Sequence, residues 1–459
     1  MIREAIALIF IFFQIVVADN DCVGGDEGDC GSDQEAMVSL LMVSSANSRS
    51  TVEIREDSST YSSAFDDFVK AHGRLYTPHG EEYQMRKTIF EQRTATVEAQ
   101  NARPGATWKA AINALADWTD AELQSLRGYK RTGAHRPAAR DGASLALSEA
   151  DVMRGVDMWS LPEEFSWQGR LAATREVQDQ GTCGSCWAFS AATTLRAHSE
   201  LFQKDAQFST QHLVSCVPNP SECGGSGGCG GATVELAYDY VMQRGLSIES
   251  SWPYAASNTE CPDMHMLSMP SVLPQPVNST AAAILNAEGE NDSVALTSDT
   301  TISASAMGML GWMKLPENRI QPVLEALYTR GPVAISIAAG FDWNIYSSGV
   351  LSACEPDAIV NHAVMLVGYG VDNHLGYWHV QNSWGATWGE NGFIRLARKL
   401  NFTAEQEYCG VDDQPLVGSG CIGGPSAVTV CGTCGILSDA VVPKLALGRD
   451  GWWAQHPSR

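Results

Sequence analysis

The chain has 459 residues, with 53 acidic side chains against 30 basic ones and a formal charge of −23. Phosphate affinity comes from clustered Lys and Arg, so this balance excludes nucleic-acid binding. A hydrophobic content of 44% can supply a sizeable core, and the length suggests roughly two to four folding units. Thirteen cysteines are many for a reducing compartment, and an odd number leaves one over after full pairing.

Arg3 precedes an apolar run from Ala5 to Val17, interrupted by Gln14. A run that short cannot span the ~30 Å hydrocarbon core as a helix. Val16 and Ala18 are small residues placed as at a cleavage site, so residues 1–18 are expected to be a signal peptide. After its removal no membrane segment is expected. Residues 19–60 hold ten acids against Arg49 and Arg55, which predicts an acidic, disordered spacer containing Cys22 and Cys30.

Helical periodicity begins in residues 61–130. Phe65, Phe68, Val69 and His72 fall on one face, and a second charged helix is predicted from Glu81 to about Asn101. Residues 131–160, with Gly133, Pro137 and Gly142, read as an exposed linker open to proteolysis. From Leu161 the pattern is globular. Helices are predicted over Cys186–Phe202, around Val234, Ala237, Tyr238 and Val241, and around Ile320, Val323 and Leu327. Strands are predicted over 333–337, Ala363–Tyr369, Tyr377–Gln381 and Gly392–Leu396. Helices first and strands later predict an α+β fold with two unlike lobes.

The chemistry is densest in Q-G-T-C-G-S-C-W-A-F-S, from Gln180 to Ser190. Cys186 follows a glycine-rich turn and opens a helix, where the dipole and the free N–H groups favour a thiolate. Acyl transfer also requires a base and donors for the oxyanion. Gln180 is a candidate side-chain donor. The two C-x-x-C pairs could serve redox or zinc chemistry, but nearly the whole globular region separates them, unlike a zinc site.

Q-G-T-C-G-S-C-W-A-F-S closely resembles the nucleophile segment of papain-like cysteine proteases. N-H-A-V-M-L-V-G-Y-G, from Asn361, resembles the family's histidine segment, and W-H-V-Q-N-S-W-G-A-T-W-G, from Trp378, its asparagine segment. The resemblance implies Cys186 as nucleophile, His362 as base, Asn382 as the group orienting the imidazole, and Trp384 as its shield from water. It further implies a papain-like two-lobe fold, helical on the left and antiparallel β on the right. Protein or peptide substrates bind in the cleft between the lobes. No cofactor and no metal are implied, and a monomer is expected. The alternative is a catalytically silent binding or inhibitory homologue, against which the complete set of Gln180, Cys186, His362 and Asn382 speaks.

By the same resemblance Cys183 pairs with Cys229, and Cys216 with Cys261. Cys354 pairs with Cys409 or Cys434, and Pro443, nine residues after Cys434, favours the latter. The pairing of Cys22, Cys30, Cys223, Cys409, Cys421 and Cys431 stays open, with Cys186 as the thiol outside the pairs. Residues 61–130 resemble the inhibitory propeptide of the cathepsin L-like branch through Glu82, Arg86, Phe90, Val97 and Asn101, with Arg93 replacing an Asn. Ala111, Asn113, Leu115 and Asp117 follow its second pattern. Such a prosegment caps the enzyme and runs backwards through the cleft, and acid is expected to loosen its salt bridges.

In the substrate cleft the resemblance points to Gly231, Ala232, Thr233, Val234 and Val360. Ala232 stands where the family has Gly and is expected to narrow that edge. Asp439, at the floor of the second pocket, is expected to admit Arg or Lys two residues upstream of the scissile bond. Residues 262–319 and 399–431 exceed the family pattern, and Asn278, Asn291 and Asn401 stand in glycosylation sequons. The expected enzyme domain spans 161–443, and 444–459 is a tail without counterpart. The reading is a cysteine endopeptidase made as a zymogen in the secretory pathway, destined for a lysosome or vacuole or for the exterior.

Overall fold

The computed structural model describes residues 58–129, 161–262, 301–400 and 408–456. The expected signal peptide, Cys22, Cys30, the linker 131–160 and the three sequons at Asn278, Asn291 and Asn401 lie outside the described residues.

The prosegment folds around two helices, Ser58–Ala71 and Glu81–Ala102. The first begins three residues inside what the composition assigns to the spacer. Phe65 and Phe68 of this helix meet Tyr83 and Phe90 of the second, with Phe68 and Phe90 ring centroids 4.9 Å apart. The buried face of the second helix runs Tyr83, Arg86, Phe90, Arg93, Val97 and Gln100, a strict three–four spacing.

Two arginines on an inward stripe require partners, because a buried charge without them is costly. Arg86 forks onto Glu122, 2.7 Å from Oε1, and donates to the Asp117 carbonyl at 3.0 Å. Arg93, which stands in place of the family's Asn, is buried and donates to the carbonyls of Leu115 and Trp118. Arg74 holds Asp117 at 2.9 Å from the opposite side, and Tyr76 donates to the same carboxylate at 2.6 Å. These contacts clamp the turn that launches the helix Asp120–Leu126, whose capping box joins Thr119 and Glu122.

Docking onto the enzyme uses backbone pairing. Trp108–Ala110 adds antiparallel to Tyr346–Leu351, with Trp108 opposite Gly349. The main sheet then continues through Phe393–Arg398, Leu375–Gln381, His362–Asp372, Val333–Ile337, Ala440–Leu445 and Met309–Lys314. Its pairings are antiparallel except between Phe393–Arg398 and Tyr346–Leu351, which run parallel. The right lobe is therefore not purely antiparallel as expected. The helix Cys186–Phe202 is buried almost all round, its polar Ser190, Thr194, Arg196, His198 and Ser199 included, between the left-lobe helices and this sheet.

Regular structure continues past the expected enzyme end and into the expected insertion. The strand Ala440–Leu445 crosses the expected enzyme end at 443, and Trp452 beyond it packs edge-on against Trp167 at 5.4 Å. Met309–Lys314, inside the supposed insertion 262–319, is the edge strand of the main sheet.

Among the described residues five disulfides are formed: Cys183–Cys229, Cys216–Cys261, Cys354–Cys434, Cys409–Cys431 and Cys223–Cys421. Among the described cysteines, Cys186 is the one outside them.

The clamp has a defined response to acid. The hydrogen bond from Arg86 holds the Glu122 carboxyl well below its usual 4.5, at about 2. A depressed folded-state value stabilises above 4.5, and that contribution disappears as the pH falls from 4.5 through 2. The difference in urea midpoint between the full-length chain and Glu122→Gln should therefore be constant from pH 7 to 5. It should shrink only below pH 4.5, and a difference already lost at pH 5 would assign the acid response to this pair wrongly.

Candidate active site

Cys186 is the first residue of its helix and fully buried, held there by the turn that the Cys183–Cys229 disulfide pins. Its Sγ accepts the N–H of Ala363 at 3.4 Å from the right lobe and the N–H of Gly128 at 3.1 Å from the prosegment. His362 begins the strand His362–Asp372, opposite Ile337, which sets it beside that same Ala363 amide.

The imidazole has a defined tautomer. The Asn382 Oδ1 atom lies 2.8 Å from His362 Nε2 and also accepts the Ser383 N–H at 2.9 Å. A carboxamide oxygen only accepts, so Nε2 carries the proton and Nδ1 is left for proton exchange. Nδ1 is buried and makes no hydrogen bond. Trp384 lies over the ring at 5.0 Å between centroids, and Trp343 and Trp388 extend the aromatic wall behind it. Trp384 thus covers one face of the His362 ring, where the resemblance implies a shield. Burial lowers the imidazole pKa to about 4, the Asn382 hydrogen bond opposing and nearby Arg127 reinforcing the effect. In the zymogen the imidazole is neutral at pH 7.

Gln180 is fully buried, and its amide is oriented from both ends. Oε1 accepts the Ser383 hydroxyl at 2.7 Å, while Nε2 donates to the Cys183 carbonyl at 2.9 Å and to the Leu126 carbonyl at 2.8 Å. Leu126 belongs to the prosegment. The donor proposed for an oxyanion is therefore occupied by a prosegment carbonyl oxygen.

The prosegment continues into the second pocket. Tyr129 is 2% exposed, and its N–H reaches the Asn361 carbonyl at 3.3 Å. Its hydroxyl lies 2.9 Å from Ser336 Oγ, and Ser336 donates its own proton to Asp439 Oδ2 at 2.6 Å. The phenol is consequently the donor to Ser336. Lys314 Nζ lies 3.2 Å from the other Asp439 oxygen and 3.9 Å from Glu235. Burial would raise the Asp439 pKa, but the Lys314 ammonium and the hydrogen bond from Ser336 act together against it and hold the carboxyl below its usual value. Burial and then the Asp439 charge push Glu235 up to about 7.

Ala232, Val234 and Tyr129 share one apolar cluster. Thr233 caps the helix Val234–Arg244, and Val360 lies buried one residue before Asn361. Gly231, at φ 98°, passes so close to the prosegment that a Cβ would fall 1.6 Å from the Gly128 oxygen. Residue spacing brought out none of Gly128, Tyr129, Lys314, Glu235 or Ser336. Their neighbours in the site are distant in sequence, and no motif marks them.

A helix-borne thiol, a buried imidazole fixed by a carboxamide, and a prosegment lying across both define the zymogen of a thiol protease. Residues 161–419 match the papain family cysteine protease profile and residues 65–123 the cathepsin propeptide inhibitor domain. The chain belongs to the papain family of cysteine proteases. It is 29% identical over 366 residues to digestive cysteine proteinase 3 of Homarus americanus, across 78% of this chain and 94% of that protein. It is 30% identical to a cathepsin L-like proteinase of Fasciola hepatica, across 72% and 88% respectively. Among solved structures, digestive procathepsin L 3 of Tenebrio molitor superposes with a TM-score of 0.58 at 23% identity, over 84% of this chain and 99% of that one.

A Cβ on Gly128 would lie 2.5 Å from Cys186 Sγ and 2.6 Å from the Gly184 carbonyl oxygen. Overpacking of that kind costs about 1–3 kcal/mol, roughly five- to 150-fold in an equilibrium. Full-length Gly128→Ala should therefore react with a thiol-directed epoxide at pH 7 at least about fivefold faster than wild type. An unchanged labelling rate would mean that this contact does not guard the thiol.

Proposed function

We propose that the processed enzyme hydrolyses internal peptide bonds with Cys186 as nucleophile, His362 as acid and base, Asn382 as its orienting group and Gln180 as oxyanion donor. The observation that carries this reading is the double occupancy by the prosegment. Leu126 holds the Gln180 amide and Gly128 holds the sulfur, one blocking each half of an acyl-transfer site. Once they leave, Cys186 passes its thiol proton to His362 Nδ1, the thiolate attacks the scissile carbonyl, and the oxygen that gains charge accepts the Gln180 N–H. His362 gives its Nδ1 proton to the leaving amine, then takes one from the water that hydrolyses the thioester. Protein and peptide substrates, a monomeric enzyme and a lysosomal, vacuolar or extracellular destination fit the expected leader and the five disulfides.

The second pocket favours a different residue from the Arg or Lys that Asp439 alone suggests. Lys314 already pairs that carboxylate, and Tyr129 supplies a hydroxylated ring to Ser336. A tyrosine two residues upstream of the scissile bond therefore matches the pocket better than a cation does.

After acid processing, a thiol-directed epoxide should form its adduct on Cys186, and Cys186→Ala should abolish turnover. Gln180→Ala should lower kcat about a hundredfold or more with little change in KM. No adduct on Cys186 would sink the assignment.

For the pocket, Tyr-Arg substrates should exceed Phe-Arg by about fivefold, the worth of roughly one hydrogen bond, with Arg-Arg poorest. Ser336→Ala should erase the Tyr–Phe gap, and preference for Arg-Arg in wild type would restore the acidic-pocket reading.

A further inference from the structure

One segment of the enzyme domain is used neither by the catalytic set nor by the sheet. It lies between the strands Cys409–Asp412 and Val428–Cys431, which pair antiparallel and are joined by the Cys409–Cys431 disulfide. Its first foot stands on the right lobe. Asp412 is fully buried and accepts the Val360 N–H at 3.2 Å, and the Val411 N–H goes to Asp357 at 2.8 Å.

The chain then crosses to the left lobe. Ser419 donates its N–H to the Val360 carbonyl at 2.9 Å. Gly420 accepts the Gly224 N–H at 3.1 Å, Cys421 is bonded to Cys223, and the Ile422 N–H reaches the Ser221 carbonyl at 2.9 Å.

Both landing points adjoin the walls that hold Tyr129. Val360 precedes Asn361, whose carbonyl takes the Tyr129 N–H. Gly224 lies so close to the ring that a Cβ there would fall 2.6 Å from Tyr129 Cδ1. Segment 418–421 therefore spans from one wall of the second pocket to the other, held by backbone hydrogen bonds on the right and a disulfide on the left.

We infer that residues 415–421 are a specificity-determining strap across the upstream end of the cleft, limiting how far a substrate extends beyond the second subsite. The inference rests on the protease reading and narrows its substrate class to peptide bonds preceded by a short upstream segment. An open cleft rewards each additional upstream residue with new contacts, and that binding energy can raise turnover. Here the residue beyond the second subsite meets peptide backbone tied to both lobes, and the Cys223–Cys421 bond keeps that backbone from swinging aside.

The test compares two acetylated aminocoumarin amides that share their last two residues, a dipeptide and a tetrapeptide, on the acid-processed full chain. Active sites are titrated with the thiol-directed epoxide. Wild type should turn over the tetrapeptide at least about tenfold less efficiently, in kcat/KM, than the dipeptide. Cys223→Ser/Cys421→Ser frees the left foot, and Ser419→Pro removes the N–H that binds the right one. Each should bring the ratio of the two rates back towards one. Because both rates come from the same titrated population, the ratio does not depend on how much of a variant folds.

A wild-type tetrapeptide rate equal to or above the dipeptide rate overturns the strap and leaves the protease reading standing. A low ratio that neither variant changes also overturns it. Absence of both turnover and adduct would instead overturn the protease reading, and the strap with it.

Discussion

The structure turns on which atom faces the sulfur of Cys186. A substrate would offer a carbonyl carbon, whereas the prosegment offers the N–H of Gly128, a hydrogen-bond donor with nothing to attack. The prosegment carbonyl that does reach the site, that of Leu126, is held by the Gln180 amide two residues away. Inhibition thus satisfies the catalytic donors and the nucleophile separately. With an N–H at the sulfur and the Gln180 donor already taken by Leu126, the inhibitory strand occupies the cleft without being presented as a substrate.

Holding that arrangement requires the strand to enter at a fixed height and angle, which explains the buried arginines of the prosegment helix. Arg86 and Arg93 sit on the stripe that an ordinary amphipathic helix would give to leucines. Their forks reach the carbonyls of residues 115, 117 and 118 and the Glu122 carboxylate, so they fix mainly backbone, with one side chain beside it. Several backbone groups tied to two rigid side chains form a more exact hinge than apolar packing, which tolerates small slips. From that hinge, the helix Asp120–Leu126 delivers Leu126, Gly128 and Tyr129 to three different partners in the cleft, the Gln180 amide donor, the Cys186 sulfur and the Ser336 hydroxyl.

What could be read from the sequence divides along a physical line. Chemistry carried by contiguous residues was legible: the helix opening at Cys186 and the period of the prosegment helices show in local spacing, and the His362 and Asn382 segments in short motifs that resemble the family's. Features made by distant chain segments were not. The parallel pairing of Phe393–Arg398 with Tyr346–Leu351 leaves no trace in either strand's alternation. The resemblance puts Asp439 in its pocket, yet its pairing with Lys314 comes from the adjacent strand Met309–Lys314 and leaves no mark on the sequence around either residue. The Cys223–Cys421 bond, 198 residues apart, likewise follows from neither cysteine's surroundings.

Desolvation links the prosegment to the chemistry it suppresses. A thiolate–imidazolium pair is two charges, and a buried site without water or added donors disfavours both. With the prosegment in place His362 is fully buried, its pKa is lowered to about 4, and its Nδ1 has no hydrogen-bond partner. The neutral imidazole is then the stable form across the physiological range. Departure of Leu126, Gly128 and Tyr129 would return solvent to the same atoms, removing the principal cause of that lowering while Asn382 still holds Nε2. Activation on this account does not need the catalytic residues to move. It needs the medium around them to change, and the strand that leaves the Gln180 amide free for an oxyanion is the one whose departure lets the imidazole take a proton.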